Sequence, residues 1–200
     1  EDITHNLKTI KAIPLSILKE PIPDILEIRG EVFINKSDFK ELNHNRLKDG
    51  KTVFANARNC AAGSLRQLNP AITMSRPLRI YCYAPGMITG EINFESQSEF
   101  LKYIPKWGFP VNPHTKTGNG FSFMQNYYHN AEKLRNNLDY DIDGVVFKVN
   151  SYSNQNKLGV RSKSPRWAIA GKLKAEQGTT IINNIFLSVG RTGAITPVAQ

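Results

Sequence analysis

The sequence has 200 residues, of which 40% are hydrophobic, and its formal net charge is +9. That length allows one or two domains with a real core. No apolar run approaches the roughly 20 residues of a membrane-spanning helix, and no signal peptide opens the chain, so we expect no membrane partner. Cys60 and Cys82 lack metal-type spacing and favour a reducing, cytoplasmic setting. Because the chain opens on Glu1, we expect a fragment of a longer protein.

The positive charge is concentrated in two acid-free tracts. Residues 50–90 contain five basic and no acidic residues, and residues 144–175 contain seven basic and no acidic ones. Such tracts favour a polyanionic partner, most simply nucleic acid. The alternative is a basic surface that only confers solubility, although such surfaces usually mix both signs.

Residues 1–24 are interpreted as a connector, because Pro14, Pro21 and Pro23 prevent a long helix. Alternation then predicts a strand over 26–34, with Ile28, Val32 and Ile34 on one face and Glu31 on the other. Glu31 would be solvated surface, or, beside a buried site, a ligand for a ribose or a metal.

A capping box formed by Asp38 and Glu41 predicts a short helix that ends at Gly50. The stretch 55–68 follows, in which Arg58 and Arg66 flank small residues. Arginines projecting from a tightly packed loop and helix suit bidentate phosphate contacts. The alternative is ordinary surface arginine.

Residues 78–84 alternate as a strand, with Tyr81 and Tyr83 on one face. One of these tyrosines could stack on a base, or both could be half-buried sheet residues. Two further helices are predicted from caps at Ser96 and Ser122, and the first of them is interpreted as scaffold. Arg135 follows the apolar stripe of the second helix.

Residues 141–150 hold two carboxylates, Asp141 and Asp143, followed by a strand that carries Lys148. A lysine fixed on an apolar strand beside carboxylates can present a charge to a phosphate, while the carboxylates hold a metal ion. The alternative is a solvated lysine on an edge strand. Lys172 lies on a second predicted strand, on a face where its neighbours are small alanines. Both lysines could therefore converge on one phosphate.

From residue 179 the pattern predicts a strand to 189, a Gly-Arg-Thr-Gly turn and a strand over 194–199. This resembles the first hairpin of a separate β domain.

Five stretches now support a resemblance, which runs from about Ile3 to the last residue. EIRGEVF at 27–33, DGVVFK at 143–148 and WAIAGK at 167–172 resemble the third, fourth and fifth nucleotidyltransferase motifs. ANARNCAAGSLRQL at 55–68 and VGRTGAITPVA at 189–199 are similar to stretches of the NAD-dependent branch. The chain therefore resembles part of a bacterial NAD-dependent DNA ligase.

The resemblance implies a role for each candidate residue. Glu31 would contact the AMP ribose or a metal, Tyr83 would stack on the adenine, and Lys148 and Lys172 would hold the AMP phosphate. Asp143 would help to hold Mg²⁺ or position the leaving group. The residues implied to hold the nick phosphate and the DNA backbone are Arg58, Arg66 and Arg135.

The resemblance also implies an α+β fold. An ATP-grasp-like adenylation domain of antiparallel sheets with peripheral helices would cover 1–178, and the start of an OB-fold would cover 179–200. Implied partners are NAD⁺, Mg²⁺ or Mn²⁺, and nicked duplex DNA, with zinc only in a downstream module. The protein would be a monomer in the bacterial cytoplasm, associated with the nucleoid.

Some positions depart from the family pattern. The family's nucleophilic lysine belongs to a Lys-x-Asp-Gly motif expected upstream of this chain, and the Lys48-Asp49-Gly50 run is one residue too short to be that motif. We therefore expect the chain alone to be inactive. Ala57 and Lys174 replace prolines, and Gly171 replaces an aromatic residue. Two alternatives are a non-catalytic nucleic-acid-binding module and a related ATP- or GTP-dependent nucleotidyltransferase.

Overall fold

The computed structural model describes residues 2–162, 164–174 and 178–200. Lys163 and Ala175, which belong to the second basic tract, lie outside the described residues. The strands are β1 (Ile25–Phe33), β2 (Arg79–Thr89), β3 (Gly144–Lys148), β4 (Ala168–Lys172), β5 (Ile185–Val189) and β6 (Ile195–Ala199). The α-helices are α1 (Thr4–Leu7), α2 (Lys36–Lys48), α3 (Ala57–Leu65), α4 (Pro70–Met74), α5 (Gln97–Tyr103), α6 (Gly120–Leu134) and α7 (Tyr152–Leu158). Short 3-10 helices follow α5 and α6 directly, at Ile104–Trp107 and Arg135–Asn137.

The strands pair as antiparallel two-stranded sheets, β1 with β2, β3 with β4 and β5 with β6. The fold is therefore a mixture of helices and small antiparallel sheets, as the α+β interpretation requires. Within the described ranges, no helix has the length and apolar character that crossing a bilayer requires.

A first core lies beneath β1 and α3. It contains Ile10, which is 3% exposed, together with Cys60 and Leu78. Residue Asn6 is also buried, and its side-chain amide donates to the carbonyls of residues 65 and 67. The interpretation of residues 1–24 as a mere connector is therefore wrong for their first half, because apolar burial there outweighs the lack of a long helix.

A second core lies between β2 and α5. Phe100 is fully buried, Phe94 packs edge to face against it, and Trp107 packs edge to face against Phe94. The predicted cap is confirmed, since the Ser96 hydroxyl accepts from the N–H of Glu99 at 3.3 Å. The chain leaves this helical segment at Gly108, whose φ of +89° is a left-handed conformation that suits glycine.

Helix α2 begins earlier than its predicted capping box. The Asp38 carboxylate pairs with Arg79 at 3.2 Å, and α2 shows no side-chain N-cap bond. Its first N–H groups bond instead to Asp139, which accepts from the N–H of Ser37 at 3.0 Å and from its hydroxyl at 2.6 Å. These hydrogen bonds lower the pKa of Asp139. The predicted box is wrong because a residue distant in sequence satisfies the helix end.

Helix α6 carries the predicted apolar stripe, with Tyr127 and Tyr128 half-buried and Ala131 buried. Its predicted cap at Ser122 is wrong. The N-cap is Asn119, three residues earlier, so Ser122 lies inside the first turn and is exposed.

The predicted terminal hairpin is present, with β5 and β6 joined around a turn that includes Gly193, at a φ of +81°. Its apolar side chains are largely exposed, including Leu187 at 68% and Ile195 at 64%. The sheet begins at Ile185, six residues after the predicted start at Thr179, since residues 179–184 lie outside β5.

Candidate functional site

Lys148 and Lys172 lie on one face of the β3–β4 ribbon. In its register, Lys148 is opposite Ala168 and Lys172 is opposite Gly144. Directly opposite residues share a face, so both lysines flank the same alanine-lined surface. They lie at opposite ends of the ladder, about 13 Å apart along the strand. Contact with one phosphate would therefore require both side chains to extend towards the middle of the ribbon.

The other face of the ribbon packs on α6. The Phe147 ring lies edge to face against Tyr127, and the Tyr128 hydroxyl donates to the carbonyl of Lys172 at 2.8 Å. A Cβ at Gly171 would come within 3.1 Å of the Tyr128 ring. Tyr128 therefore fills the space that the small residue at 171 leaves, and it supports the strand that bears Lys172.

Strand β4 leaves no room for a side chain at Gly144. A Cβ built there would lie 2.4 Å from the carbonyl oxygen of Gly171, a backbone atom that cannot move alone. We expect Gly144→Ala to separate the strands and to lower the free energy of unfolding by about 1–3 kcal/mol, as overpacking does. Thermal denaturation measures this effect.

The matched control is Gly63→Ala in α3, where an added Cβ meets nothing within 4 Å. Alanine should leave stability unchanged or raise it by up to about 1 kcal/mol. Equal melting temperatures for the two variants would contradict the close approach at Gly144.

Tyr83 lies at a β-bulge beside Lys148. The register passes from Arg29 opposite Ala84 to Gly30 opposite Cys82, which leaves Tyr83 without a cross-strand partner. Bulges commonly re-aim a side chain next to a functional site. Tyr83 is 44% exposed, so its ring is open to a ligand.

The Lys148 ammonium is held against Tyr83. Its Nζ donates to the Tyr83 carbonyl at 3.2 Å and lies 4.9 Å from the centre of the Tyr83 ring. Burial lowers the pKa of Lys148, because partial desolvation disfavours the charged form. A phosphate nearby would act in the opposite direction and favour the ammonium. The pair thus places an aromatic face and a cation side by side.

Tyr81 has a different environment from Tyr83. Its ring stacks on Phe33 at 4.8 Å and meets Tyr140 edge to face at 5.7 Å. Of the two tyrosines that alternation placed together, Tyr81 is committed to packing and Tyr83 is accessible. The Tyr140 contact also joins the segment before the acidic turn to the β1–β2 sheet, which bears Glu31.

Arg58 bridges two carboxylates at the edge of this surface. Its guanidinium lies 2.7 Å from an oxygen of Asp143 and 3.9 Å from one of Glu31. All three side chains are about two-thirds exposed. Among the described residues there is no group of three or more His, Cys, Asp or Glu that could hold a metal ion. The sequence-predicted metal ligands are therefore a pair of carboxylates with an arginine between them.

The two aspartates of the turn separate. Asp141 pairs with Lys36 at 3.4 Å, on a different side from Asp143. The carbonyl of Asp143 accepts from the N–H of Leu173 at 2.9 Å, which extends the β3–β4 pairing by one step and fixes the backbone below its carboxylate. Only Asp143 is thus held beside Glu31 and the ribbon.

The remaining candidate arginines lie apart from this group. Arg66 is exposed at the C-terminal end of α3, one helix length from Arg58. Arg135 follows α6 and donates to the carbonyl of Lys174 at 2.8 Å. Arg135 is therefore joined to the segment that leaves β4, close in sequence to Lys172.

The sequence did not predict a role at the site for two residues, Tyr128 and Gln97. Tyr128 was assigned to a core stripe, and Gln97 lies in a helix interpreted as scaffold. Gln97 is 7% exposed, and its amide donates to the Tyr83 carbonyl at 2.8 Å. Gln97 stands beside Ser98 and Glu99 in the polar first turn of α5, so nothing in the sequence singles it out.

Known proteins resemble this chain over its whole length. A family model described as NAD-dependent DNA ligase adenylation domain matches residues 1–176. Curated proteins named DNA ligase from Citrifermentans bemidjiense and Geotalea daltonii are 51% and 50% identical over 200 residues. The DNA ligase of Geobacter sulfurreducens is 49% identical over the same length. Each alignment covers 100% of this chain and 30% of the relative, so the chain spans about a third of these proteins. The chain belongs to the family of NAD-dependent DNA ligase adenylation domains.

Proposed function

We propose that this chain is the adenylation part of an enzyme that seals nicks in duplex DNA with AMP taken from NAD⁺. A lysine of the enzyme attacks the AMP phosphorus of NAD⁺, and nicotinamide mononucleotide leaves. AMP then passes to the 5′-phosphate of the nick, and attack by the 3′-hydroxyl joins the strands and releases AMP. Family membership supports the chemistry, and the site supports the assignment of roles.

The observation that carries the proposal is the Tyr83–Lys148 pair on the ribbon that also carries Lys172. An exposed aromatic ring suits stacking on adenine, at about 1–3 kcal/mol per base. Lysines on a rigid ribbon suit a phosphate that gains charge during transfer, because fixed cations stabilise that charge without reorganisation. We assign Tyr83 to the adenine and Lys148 and Lys172 to the AMP phosphate.

We assign Glu31 to the AMP ribose or to Mg²⁺, and Asp143 to Mg²⁺ or to positioning the leaving group. Their oxygen donors fit Mg²⁺, which is commonly held by one or two carboxylates together with substrate phosphates. Bound there, the ion would supply charge stabilisation at the reacting phosphate. When DNA is present, Arg58 would leave these two carboxylates and bind a phosphate. Its guanidinium is exposed and already pairs with anionic groups, which is compatible with this role.

Arg58, Arg66 and Arg135 are assigned to the nick phosphate and DNA backbone. Each phosphate contact that is lost should reduce the slope of log affinity against log salt by about one. We expect Arg66→Ala to do so in the full-length protein, and Arg58→Ala/Arg66→Ala to reduce the slope further. Titration of a nicked duplex at several salt concentrations measures it.

Lys116→Ala serves as the control, since Lys116 is an exposed cation outside both basic tracts. It should leave the slope unchanged. An unchanged slope in the Arg58→Ala/Arg66→Ala variant as well would make the two arginines ordinary surface residues.

We further propose that 1–178 form an ATP-grasp-like adenylation domain and that 179–200 begin an OB-fold. The antiparallel sheets and the exposed apolar hairpin are compatible with this division. The whole protein would act as a cytoplasmic, nucleoid-associated monomer, with zinc bound only in a module outside this chain.

The deciding experiment uses the full-length protein and a labelled duplex with one 5′-phosphorylated nick. We expect joined strands with NAD⁺ and Mg²⁺ and none with ATP. Joining with ATP alone would favour a different nucleotidyltransferase. Binding of the duplex without joining under either condition would favour a non-catalytic nucleic-acid-binding module.

A further inference from the structure

Gln97 connects the two strands that carry the proposed nucleotide-binding residues. Its side-chain Nε2 donates to the carbonyl of Tyr83 on β2 at 2.8 Å. Its backbone N–H donates to the carbonyl of Asn150, two residues beyond β3, at 2.8 Å. Asn150 also accepts from the N–H of Ser98 through its side chain. The first turn of α5 therefore joins the bulge of β2 to the end of β3.

The Tyr83 carbonyl is available to these donors because of the bulge. Tyr83 has no partner in the β1–β2 register, and an extra residue of this kind is left outside the regular ladder. Two side chains use its oxygen, Gln97 at 2.8 Å and Lys148 at 3.2 Å. A carbonyl oxygen has two lone pairs, so both donors can be accommodated at once.

Burial makes the Gln97 bond obligatory in the folded protein. The side chain is 7% exposed, and an amide that loses its partner in such surroundings is destabilised. The bond orients the peptide that follows Tyr83. That peptide belongs to the residue that carries the ring, and the Lys148 ammonium lies on the same oxygen, 4.9 Å from the ring centre.

We propose that Gln97 is a positioning residue for nucleotide binding. It holds the Tyr83 peptide so that the ring presents its face to a purine while Lys148 stays beside the ring, directed to the attached phosphate. This inference rests on the proposed function, because it concerns how NAD⁺ is bound at that site. Gln97 itself touches no substrate and acts through Tyr83 and Lys148.

Gln155 provides a matched control. It is also 7% exposed, and its Nε2 also donates to a backbone carbonyl, that of Val149, at 2.7 Å. The two glutamines therefore have equal burial and the same kind of bond. They differ in the residue they support, since Val149 lies one residue beyond β3 and Tyr83 lies at the bulge of β2.

The test measures AMP-adduct formation on the full-length protein by intact-mass spectrometry as NAD⁺ is varied. The readout is the NAD⁺ concentration that gives half the maximal rate. Tyr83→Ala should raise it about 10- to 100-fold. Gln97→Leu should raise it about fivefold, the effect of one lost hydrogen bond, with a smaller change in maximal rate. Gln155→Leu should lower the melting temperature as Gln97→Leu does and leave the NAD⁺ dependence unchanged.

The double variant Gln97→Leu/Tyr83→Ala separates positioning from simple destabilisation. With the ring absent, Gln97→Leu should add less than about twofold, because it acts through that ring. Multiplicative effects of the two changes, or a wild-type NAD⁺ dependence in Gln97→Leu, would overturn the inference. Gln97→Glu keeps the side-chain shape without an N–H donor, and it replaces Gln97→Leu should the latter fail to fold.

The two proposals fail in different ways. A wild-type protein that forms no AMP adduct with NAD⁺ refutes the proposed function. A wild-type protein that forms the adduct, with Gln97→Leu indistinguishable from it, refutes only the role of Gln97.

Discussion

Replacing Lys172 by alanine in the full-length protein is expected to reduce nick sealing by about 100-fold or more, the usual effect of removing one preorganised charged donor. Lys172 is exposed at the end of β4, opposite Gly144, so its removal leaves no cavity. Surface substitutions of this kind change stability by about 0.5 kcal/mol or less. A labelled-duplex sealing assay and a melting curve measure the two quantities.

Lys174→Ala is the control for this change. Lys174 is exposed two residues further along the chain, and its backbone carbonyl accepts a hydrogen bond from Arg135. We expect its side chain to be dispensable. Near-wild-type sealing by Lys172→Ala would refute the assignment of that lysine to the AMP phosphate.

Asp143→Asn is expected to lower sealing by a similar factor, about 100-fold. The amide preserves the shape of the side chain but removes the charge that would hold Mg²⁺ or position the leaving group. It also weakens the 2.7 Å ion pair with Arg58, and exposed pairs of this kind contribute about 1 kcal/mol or less. Activity should therefore fall while the melting temperature changes little. Sealing rates measured over a range of Mg²⁺ concentrations test this directly.

Asp141→Asn is the matched control, two residues earlier in the same turn. Its carboxylate pairs with Lys36 at 3.4 Å and is 72% exposed. We expect full activity from this variant. Equal losses in Asp141→Asn and Asp143→Asn would indicate that the net charge of the turn matters, and not the position of Asp143.

Local alternation was sufficient to predict the strands that carry the candidate residues. It placed Lys148 and Lys172 on two predicted strands, and the structure pairs these strands in a register that puts both lysines on one face. Alternation could not distinguish the packed Tyr81 from the accessible Tyr83. The bulge depends on how β2 pairs with β1, and neither strand's sequence pattern shows it. The bulge is also what frees the Tyr83 carbonyl for Gln97 and Lys148.

The helix ends were harder to predict for a related reason. The Ser96 cap is local and was predicted correctly. The start of α2 depends on Asp139, a carboxylate 102 positions from Ser37, so the local capping pattern at Asp38 gives the wrong helix start. The same contact places the acidic turn, since Asp139 lies just before Asp141. The separation of Asp141 from Asp143 therefore follows from long-range contacts, which sequence spacing does not contain.

The β3–β4 ribbon has a consequence for hydrogen exchange. It is five residue pairs long and is supported by α6 through Phe147 and Tyr128. The hydrogen bonds of a ladder this short break as one cooperative unit. A single opening event therefore moves both Lys148 and Lys172 out of their binding positions. A ligand that requires both lysines binds only the closed ribbon. By thermodynamic linkage its binding must slow amide exchange in both strands by the same factor, including at amides that it never touches.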